Sequence, residues 1–338
     1  MVLVTGGTGL LGSHLLFELL HRGEKVRAIY RDQSRMNIVR KIFSYYTVDA
    51  DDLFDRIAWF KADLLDLGSL EDALVGITQV YHAGAIVSFR PKDYQEMLRI
   101  NIDGTANLVN LCIGTSPMQF CFISSVATLG RADHDGISDE ETYWKPSLKN
   151  SIYSISKYGA EREVWRGIEE GLNALIVNPS VILGPGFWGD GNSGLFTRVW
   201  KGLKFYTNGI NGFIDVRDVA AAMIDLMNRD YSRERFILSS GNCTYREVVG
   251  LMARYLNKPA PFIHVPPAMA QMAWRIERVR SLVTGTPPNV TRETATTASQ
   301  VYRYSNEKVQ KAIHFNFRSV EESIRDTCTL FLKDHQAL

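Results

Sequence analysis

The chain has little of what marks a specialised protein. Its four cysteines, Cys112, Cys121, Cys243 and Cys328, form no Cys-x-x-Cys pair. No His/Cys cluster has the spacing of metal ligands. A disulfide framework and a sulfur-ligated metal are therefore not expected; the reading is of reduced, buried thiols in a cytoplasmic protein. No apolar run reaches the roughly 18 residues a transmembrane helix needs. The first residues read as a strand rather than as a charged region and signal helix, so no secretory signal is expected. Net charge is +1 and no basic run exceeds a pair, which leaves no electrostatic footprint for nucleic acid. Internal repeats and low-complexity segments are lacking too.

What is present is ordinary globular material. Hydrophobic residues make up 45% of the 338 and charged residues 22%, enough for a sizeable core in one large domain or two smaller ones. Residues 2–5 form a β-branched run that meets a glycine turn. Leu10, Leu11, Leu15, Leu16, Leu19 and Leu20 then recur at helical spacing up to Gly23. Further strands are predicted at 25–30, 56–61, 79–82, 119–124 and 173–177. Helices are predicted from about 69, over 94–111 and over 151–169. Strands alternating with long helices predict an α/β fold: a doubly wound, parallel Rossmann sheet with ligands beyond the carboxyl ends of its strands.

After residue 183 the pattern changes. Gly184, Gly186, Gly189, Gly191 and Gly194 crowd one stretch, residues 213–227 read as a strand and helix returning to the sheet, and 235–238 as another strand. Mostly helices follow, with prolines between them. The expected division is a dinucleotide-binding domain of residues 1–183 and 213–240. A smaller, discontinuous substrate domain takes 184–212 and 241–338.

Gly6-x-x-Gly9-x-x-Gly12 sits between the first strand and its helix. Glycines there permit the tight turn and let backbone approach a pyrophosphate, while the helix N-terminus offers free N–H groups. Gly6, Thr8, Gly9, Leu10, Leu11 and Gly12 are the expected phosphate-binding segment. The second strand ends Tyr30-Arg31-Asp32, eighteen residues from Gly12 to Tyr30. Arg31, with Arg35, suits a 2′-phosphate; Asp32 either holds a ribose hydroxyl or starts the next turn. The charge argument favours NADP(H) over NAD(H).

Tyr153 and Lys157 lie four residues apart, on one face of a predicted helix. An ammonium and an oxidised nicotinamide beside a phenol favour its ionised form, so Tyr153 can exchange a proton while hydride moves at the cofactor. Ser124 and Ser125 supply hydroxyls at a strand's carboxyl end, where one can polarise a substrate carbonyl.

Together these residues resemble the extended short-chain dehydrogenase/reductase superfamily over nearly the whole chain. Thr5 to Gly12 matches its glycine motif. Asp63 in Ala62-Asp63-Leu64 matches the acid that contacts adenine. Asn101-x-x-Gly104-Thr105 matches a motif whose Asn relays protons through water to the Lys. Ser124 to Gly130 places Ser125 in the catalytic position. Asn178-Pro179-Ser180 and Leu183-Gly184-Pro185 match the loop beside the nicotinamide. Tyr153, Lys157, Ser125 and Asn101 are thus the implied catalytic set. Ala83, Gly84 and Ala85 are expected near the ribose and pyrophosphate, together with Leu64, Ser124, Asn178, Pro179 and Ser180. The resemblance also implies a homodimer built on the helices of 94–111 and 151–169.

Val26 to Asp32 looks like the dihydroflavonol reductase and 3β-hydroxysteroid dehydrogenase branch, and 177–185 also resembles a hopanoid-associated sugar epimerase group. Ser125-Val126-Ala127-Thr128 has no carboxylate, which argues against a sugar 4,6-dehydratase. Three readings stand: an NADPH-dependent carbonyl reductase or the reverse dehydrogenase, a nucleotide-sugar epimerase retaining NAD, and a non-catalytic dinucleotide sensor. Ser88, Phe89, Ser125, Phe187 and Trp188 are the expected substrate contacts, although aromatic rings after residue 186 also suit an interdomain core. His82 reads as a structural histidine. The stripe Met269, Met272, Ala273, Ile276, Val279 and Leu282 reads as a packed lid, with a membrane contact as the alternative.

Overall fold

The computed structural model describes residues 1–115, 118–130, 136–147, 150–189, 193–284, 286 and 291–336. Gly191, one of the predicted loop glycines, falls outside them, as do the side chains of Val279 and Leu282.

The first half alternates as its periodicity requires: β1 (Val2–Thr5), α1 (Leu10–His21), β2 (Val26–Tyr30), α2 (Met36–Phe43), α3 (Ala50–Asp55), β3 (Ala58–Lys61), α4 (Leu67–Leu74) and β4 (Gln79–His82). Next come α5 (Tyr94–Leu98), a π-helical turn at Arg99–Asp103, α6 (Gly104–Cys112), β5 (Gln119–Ile123), α7 (Ile152–Glu169) and β6 (Asn173–Pro179). The second half holds β7 (Val181–Leu183), α8 (Gly194–Trp200), β8 (Phe205–Tyr206), β9 (Ile210–Asp215), α9 (Val216–Asn228), β10 (Glu234–Leu238) and β11 (Gly241–Thr244). It closes with α10 (Tyr245–Tyr255), β12 (Ile263–His264), α11 (Pro267–Thr284), α12 (Arg292–Thr297), α13 (Glu307–Ile313) and α14 (Val320–Gln336).

Seven strands form one sheet in the order β10-β6-β5-β4-β1-β2-β3, and every neighbouring pair is parallel. Chain direction across the sheet reverses between β1 and β4. That is the switch point where such a sheet opens a crevice.

Leu15, Leu16 and Leu19 of α1 are fully buried against one face of the sheet, with Phe43 of α2 and Met223 of α9. Each such side chain contributes roughly 1.5–3 kcal/mol when removed from water. Leu108 and Val109 of α6 and Val164 of α7 cover the other face. A third cluster joins Phe196, Phe213, Met252 and Phe331, drawn from α8, β9, α10 and α14.

Residues 213–215 do not return to the main sheet. They belong to β9, which pairs in parallel with β7 and antiparallel with β11 in a separate three-stranded sheet. Only the following helix, α9, packs back against α1. A strand buried on both faces reads alike in either sheet; pairing is a long-range fact the local pattern does not carry.

In α11, Met272 is 61% and Ile276 65% exposed, while Ala270 is buried. The outer edge of the predicted stripe therefore faces outward, and α12 packs against this helix. No helix among the described residues is long and apolar enough to cross a membrane.

Candidate active site

The turn after β1 is built by its glycines. Gly6 has φ +69°, and a Cβ there would stand 2.6 Å from the Ala83 carbonyl group. At Gly12 a Cβ would meet the Gly6 carbonyl oxygen at 2.0 Å, so α1 can pack this close only without a side chain. Gly9 is the N-cap of α1 and provides no side-chain cap. The first N–H groups of the helix thus have no side-chain partner at their N-cap, which fits a pyrophosphate beside Thr8, Leu10 and Leu11. Ser13 Oγ ties the turn from below, donating to the Gly9 carbonyl at 2.7 Å.

The strip after β4 forms the opposite lip. The Gly84 N–H donates to Thr5 Oγ1 at 3.0 Å, Ala83 to Ala85 are half-buried, and Leu64 packs closely against Gly84 and Gly104. His82 lies beneath, bridging Thr5 Oγ1 at 2.6 Å and Thr105 Oγ1 at 2.9 Å. Burial pulls its pKa down to about 3, and the Lys157 charge pushes the same way. His82 is a neutral structural bridge. Asp63 Oδ1 accepts from the Leu65 N–H at 2.9 Å, which folds the turn at the end of β3.

At the end of β2, Asp32 Oδ1 accepts from the Ser34 N–H at 2.9 Å. The Ser34 hydroxyl and that N–H bond lower its pKa, and the Arg35 charge adds to the effect. Of the two roles open to Asp32, turn initiation is the one built here. Arg31 and Arg35 are exposed.

Tyr153 and Lys157 share the first turns of α7. Ser151 caps this helix, accepting from the Ser154 N–H at 2.9 Å, and Glu293 of α12 accepts from the Ile152 N–H at 3.0 Å. The Ser125 side chain lies beside the Tyr153 phenol and favours its ionised form; Ser125 Oγ accepts from the Ala127 N–H at 3.1 Å. The Tyr153 ring meets Phe89 edge-on, with centroids 5.9 Å apart. Lys157 is buried, donates to the Ile123 carbonyl at 2.6 Å, and lies 4.4 Å from the centre of the Phe122 ring. Burial brings Lys157 down to about 7, against the opposing charge of Glu161. Burial also raises the Tyr153 phenol, with the neighbouring Ser125 side chain acting the other way. The neighbouring ammonium thus does less for Tyr153 than the sequence argument expects, because the ammonium is itself desolvated.

Asn101 lies in the π-helical turn, a local widening common at functional positions. Its amide clasps Ile86, accepting from its N–H at 2.7 Å and donating to its carbonyl at 3.0 Å. It also donates to Ser156 Oγ at 3.0 Å, beside Lys157 in the chain.

The remaining predicted residues are less uniform. Ser124 Oγ donates to Glu161 at 2.5 Å, and Asn178 Nδ2 is shared among Ser125, Thr128 and Glu161. Asn178 Oδ1 and Ser180 Oγ are buried without a partner among the described residues, and Pro179 closes β6 beside Leu238. Ser88 Oγ donates to Asp93 at 2.6 Å and so serves its own loop. Trp188 donates to Asp334 at 2.7 Å and packs on Phe331, in the third core rather than against Tyr153. Phe187 is half-buried.

Sequence reasoning passed over Glu161, Thr128, Arg235 and Glu293. A signal existed for the first: Glu161 follows Lys157 by the same four residues that separate Lys157 from Tyr153.

A parallel sheet with a glycine turn at its switch point, and a Tyr/Lys helix aimed beside it, defines a dinucleotide-dependent enzyme. The chain belongs to the NAD dependent epimerase/dehydratase family, whose model matches residues 2–238, within the extended short-chain dehydrogenase/reductases. It is 31% identical over 276 residues to sterol demethylase protein B of Methylococcus capsulatus, covering 80% of this chain and 78% of the relative. A putative dihydroflavonol 4-reductase of Synechocystis is 28% identical over 336 residues, 97% of this chain and 93% of the other. The crystal structure of gox2253 superposes with a TM-score of 0.81 at 25% identity, over 99% of this chain and 98% of that one. The protein is an NAD(P)-dependent oxidoreductase or epimerase in this broad sense.

Proposed function

We propose that the protein is an NADPH-dependent reductase of a ketone or aldehyde on an apolar, ring-bearing substrate, able to run as the reverse dehydrogenase. The observation that carries the reading is the Tyr153 phenol, set beside the Ser125 side chain and walled by the Phe89 ring. A proton donor, an oxyanion partner and an aromatic surface meet at one point there. The similarity over nearly the full chain to the Synechocystis protein named a putative dihydroflavonol 4-reductase supports the same reading.

A bound nicotinamide supplies the hydride. The chain's residues do the rest: Tyr153 delivers the proton to the substrate oxygen, and Ser125 steadies the developing negative charge. Lys157 holds the ribose hydroxyls and keeps a positive charge near the phenol. Asn101 fixes the 83–86 strip against α7 through Ser156. The turn of Gly6, Thr8, Gly9, Leu10, Leu11 and Gly12 would hold the phosphates, with Ala83 to Ala85 opposite, and Asp63 and Leu64 would meet the adenine. Arg31 and Arg35 carry the choice of NADP(H): both are exposed, while the Asp32 carboxylate is engaged by Ser34. Asn178, Pro179 and Ser180 line the nicotinamide side.

Residues 1–183 with 216–240 act as the dinucleotide domain and 184–209 with 241–338 as the substrate domain, while β9 (Ile210–Asp215) pairs with β7 and β11 in the small sheet. The working form is a cytoplasmic homodimer joined through α5, α6 and α7. NADPH consumption with a panel of aryl ketones and aldehydes tests the activity. Protein that retains NAD on purification and epimerises a UDP- or GDP-sugar without net redox would overturn it. Dinucleotide binding with no turnover on either panel would favour a sensor.

A further inference from the structure

We propose that Glu161 is a positioning residue that sets both Ser125 and Lys157 for the reaction. The proposal rests on the reading of Tyr153 as the proton donor. Glu161 is buried, at 2% exposure, in the middle of α7. Its Oε2 receives Ser124 Oγ at 2.5 Å, Thr128 Oγ1 at 2.6 Å and Asn178 Nδ2 at 3.0 Å. Its Oε1 receives Trp165 Nε1 and Arg235 Nη1, each at 3.3 Å. Five donors and no acceptor converge on one carboxylate, the arrangement that suits its charged form. A buried charge costs several kcal/mol unless it is fully partnered, so a bond network serving packing alone would be better built without one.

One of those donors leads straight to Ser125: Asn178 Nδ2 has two hydrogens and reaches the Ser125 carbonyl at 3.1 Å as well as Glu161. The single Thr128 hydroxyl proton has two acceptors within reach, Glu161 at 2.6 Å and the Ser125 carbonyl at 2.8 Å, and the carboxylate charge draws it to Glu161. The backbone of the residue beside Tyr153 is therefore set by side chains that Glu161 holds. Along the helix, Glu161 stands one turn from Lys157, and its negative charge opposes the desolvation of that amine. The other charged groups nearby are Arg235 of β10, paired with Glu161, and Glu140, whose carboxylate accepts from Ile237. His82 of β4 faces Lys157 and is neutral. Glu161 is thus the acidic group whose charge bears on Lys157 among the described residues.

The test uses Glu161→Gln and Glu161→Asp in the full chain. Lys157 is followed by NMR of ε-carbon-labelled lysine, its resonance assigned with Lys157→Met, and steady-state kinetics are measured alongside. In Glu161→Gln the Lys157 titration moves down by about one pH unit or more. In the same variant kcat falls more than about tenfold, while the dinucleotide KM changes little. Glu161→Asp, which keeps the charge, restores the titration. Thr128→Val separates the two arms: kcat falls while Lys157 titrates as in the wild type. An unchanged Lys157 titration and kcat in folded Glu161→Gln overturns the proposal. If that variant does not fold, an unchanged kcat in Thr128→Val overturns the Ser125 arm. A wild type without turnover on any carbonyl defeats the reductase reading, and the Lys157 titration then decides on Glu161 by itself.

Discussion

The rings of Tyr153 and Phe89 meet edge to face, 5.9 Å between centroids and 68° between planes. Phe89 stands on the loop after β4 and Tyr153 at the start of α7, so the contact closes one wall of the site between two elements far apart in sequence. Such a pair contributes about 0.5–1.5 kcal/mol beyond the area it buries. Phe89→Ala is expected to raise KM for ring-bearing carbonyls by about tenfold, with dinucleotide affinity unchanged. Initial-rate kinetics beside a fluorescence titration of the dinucleotide check both halves.

Tyr153→Phe removes one oxygen and keeps the ring against Phe89. Turnover should drop by a factor of about 10²–10⁴, the range for a positioned general acid. Dinucleotide binding should persist. Turnover at the wild-type rate would move the proton donor elsewhere.

Arg31→Ala combined with Arg35→Ala should weaken NADPH binding by more than about tenfold, the loss of charge-assisted bonds to a phosphate. NADH affinity should stay as it was. Calorimetry with both dinucleotides settles the matter; wild-type protein that binds NADH more tightly than NADPH contradicts the assignment.

Gly12→Ala places a methyl at 2.0 Å from the Gly6 carbonyl oxygen. Backbone must shift, at a cost of about 1–3 kcal/mol. A lower Tm and a weaker dinucleotide complex are expected together, whereas Gly23→Ala, with nothing within 4 Å but a φ of +86°, should cost stability alone.

His14 and His82 are both buried and neutral, pulled by burial to about 4 and about 3. In the unfolded chain a histidine titrates near ~6.5. Between these values the unfolded state binds more protons than the folded one, so stability rises with pH through the window and is lost as pH falls from about 6.5 towards 4. His14→Gln should flatten that slope in urea denaturation across the same range. Equal slopes in variant and wild type would assign the acid sensitivity to carboxylates.

Much of this protein is decided locally. Apolar period, glycine positions and caps depend on neighbours within a few residues, so β1, the glycine turn, α1 and the Tyr153/Lys157 helix were legible from sequence. The sequence also made the parallel sheet compelling, since strands joined by long helices have few other arrangements. Tertiary structure alone decided which sheet took residues 213–215, because partners for a strand come from distant chain. It also decided that Trp188 fills a core, that Ser88 binds Asp93, and that Ser124 and Asn178 turn to Glu161. A hydroxyl or an amide has many possible partners, and only the folded neighbourhood chooses among them. The same holds for charge: sequence places an amine beside a phenol, while burial sets how much of that charge remains.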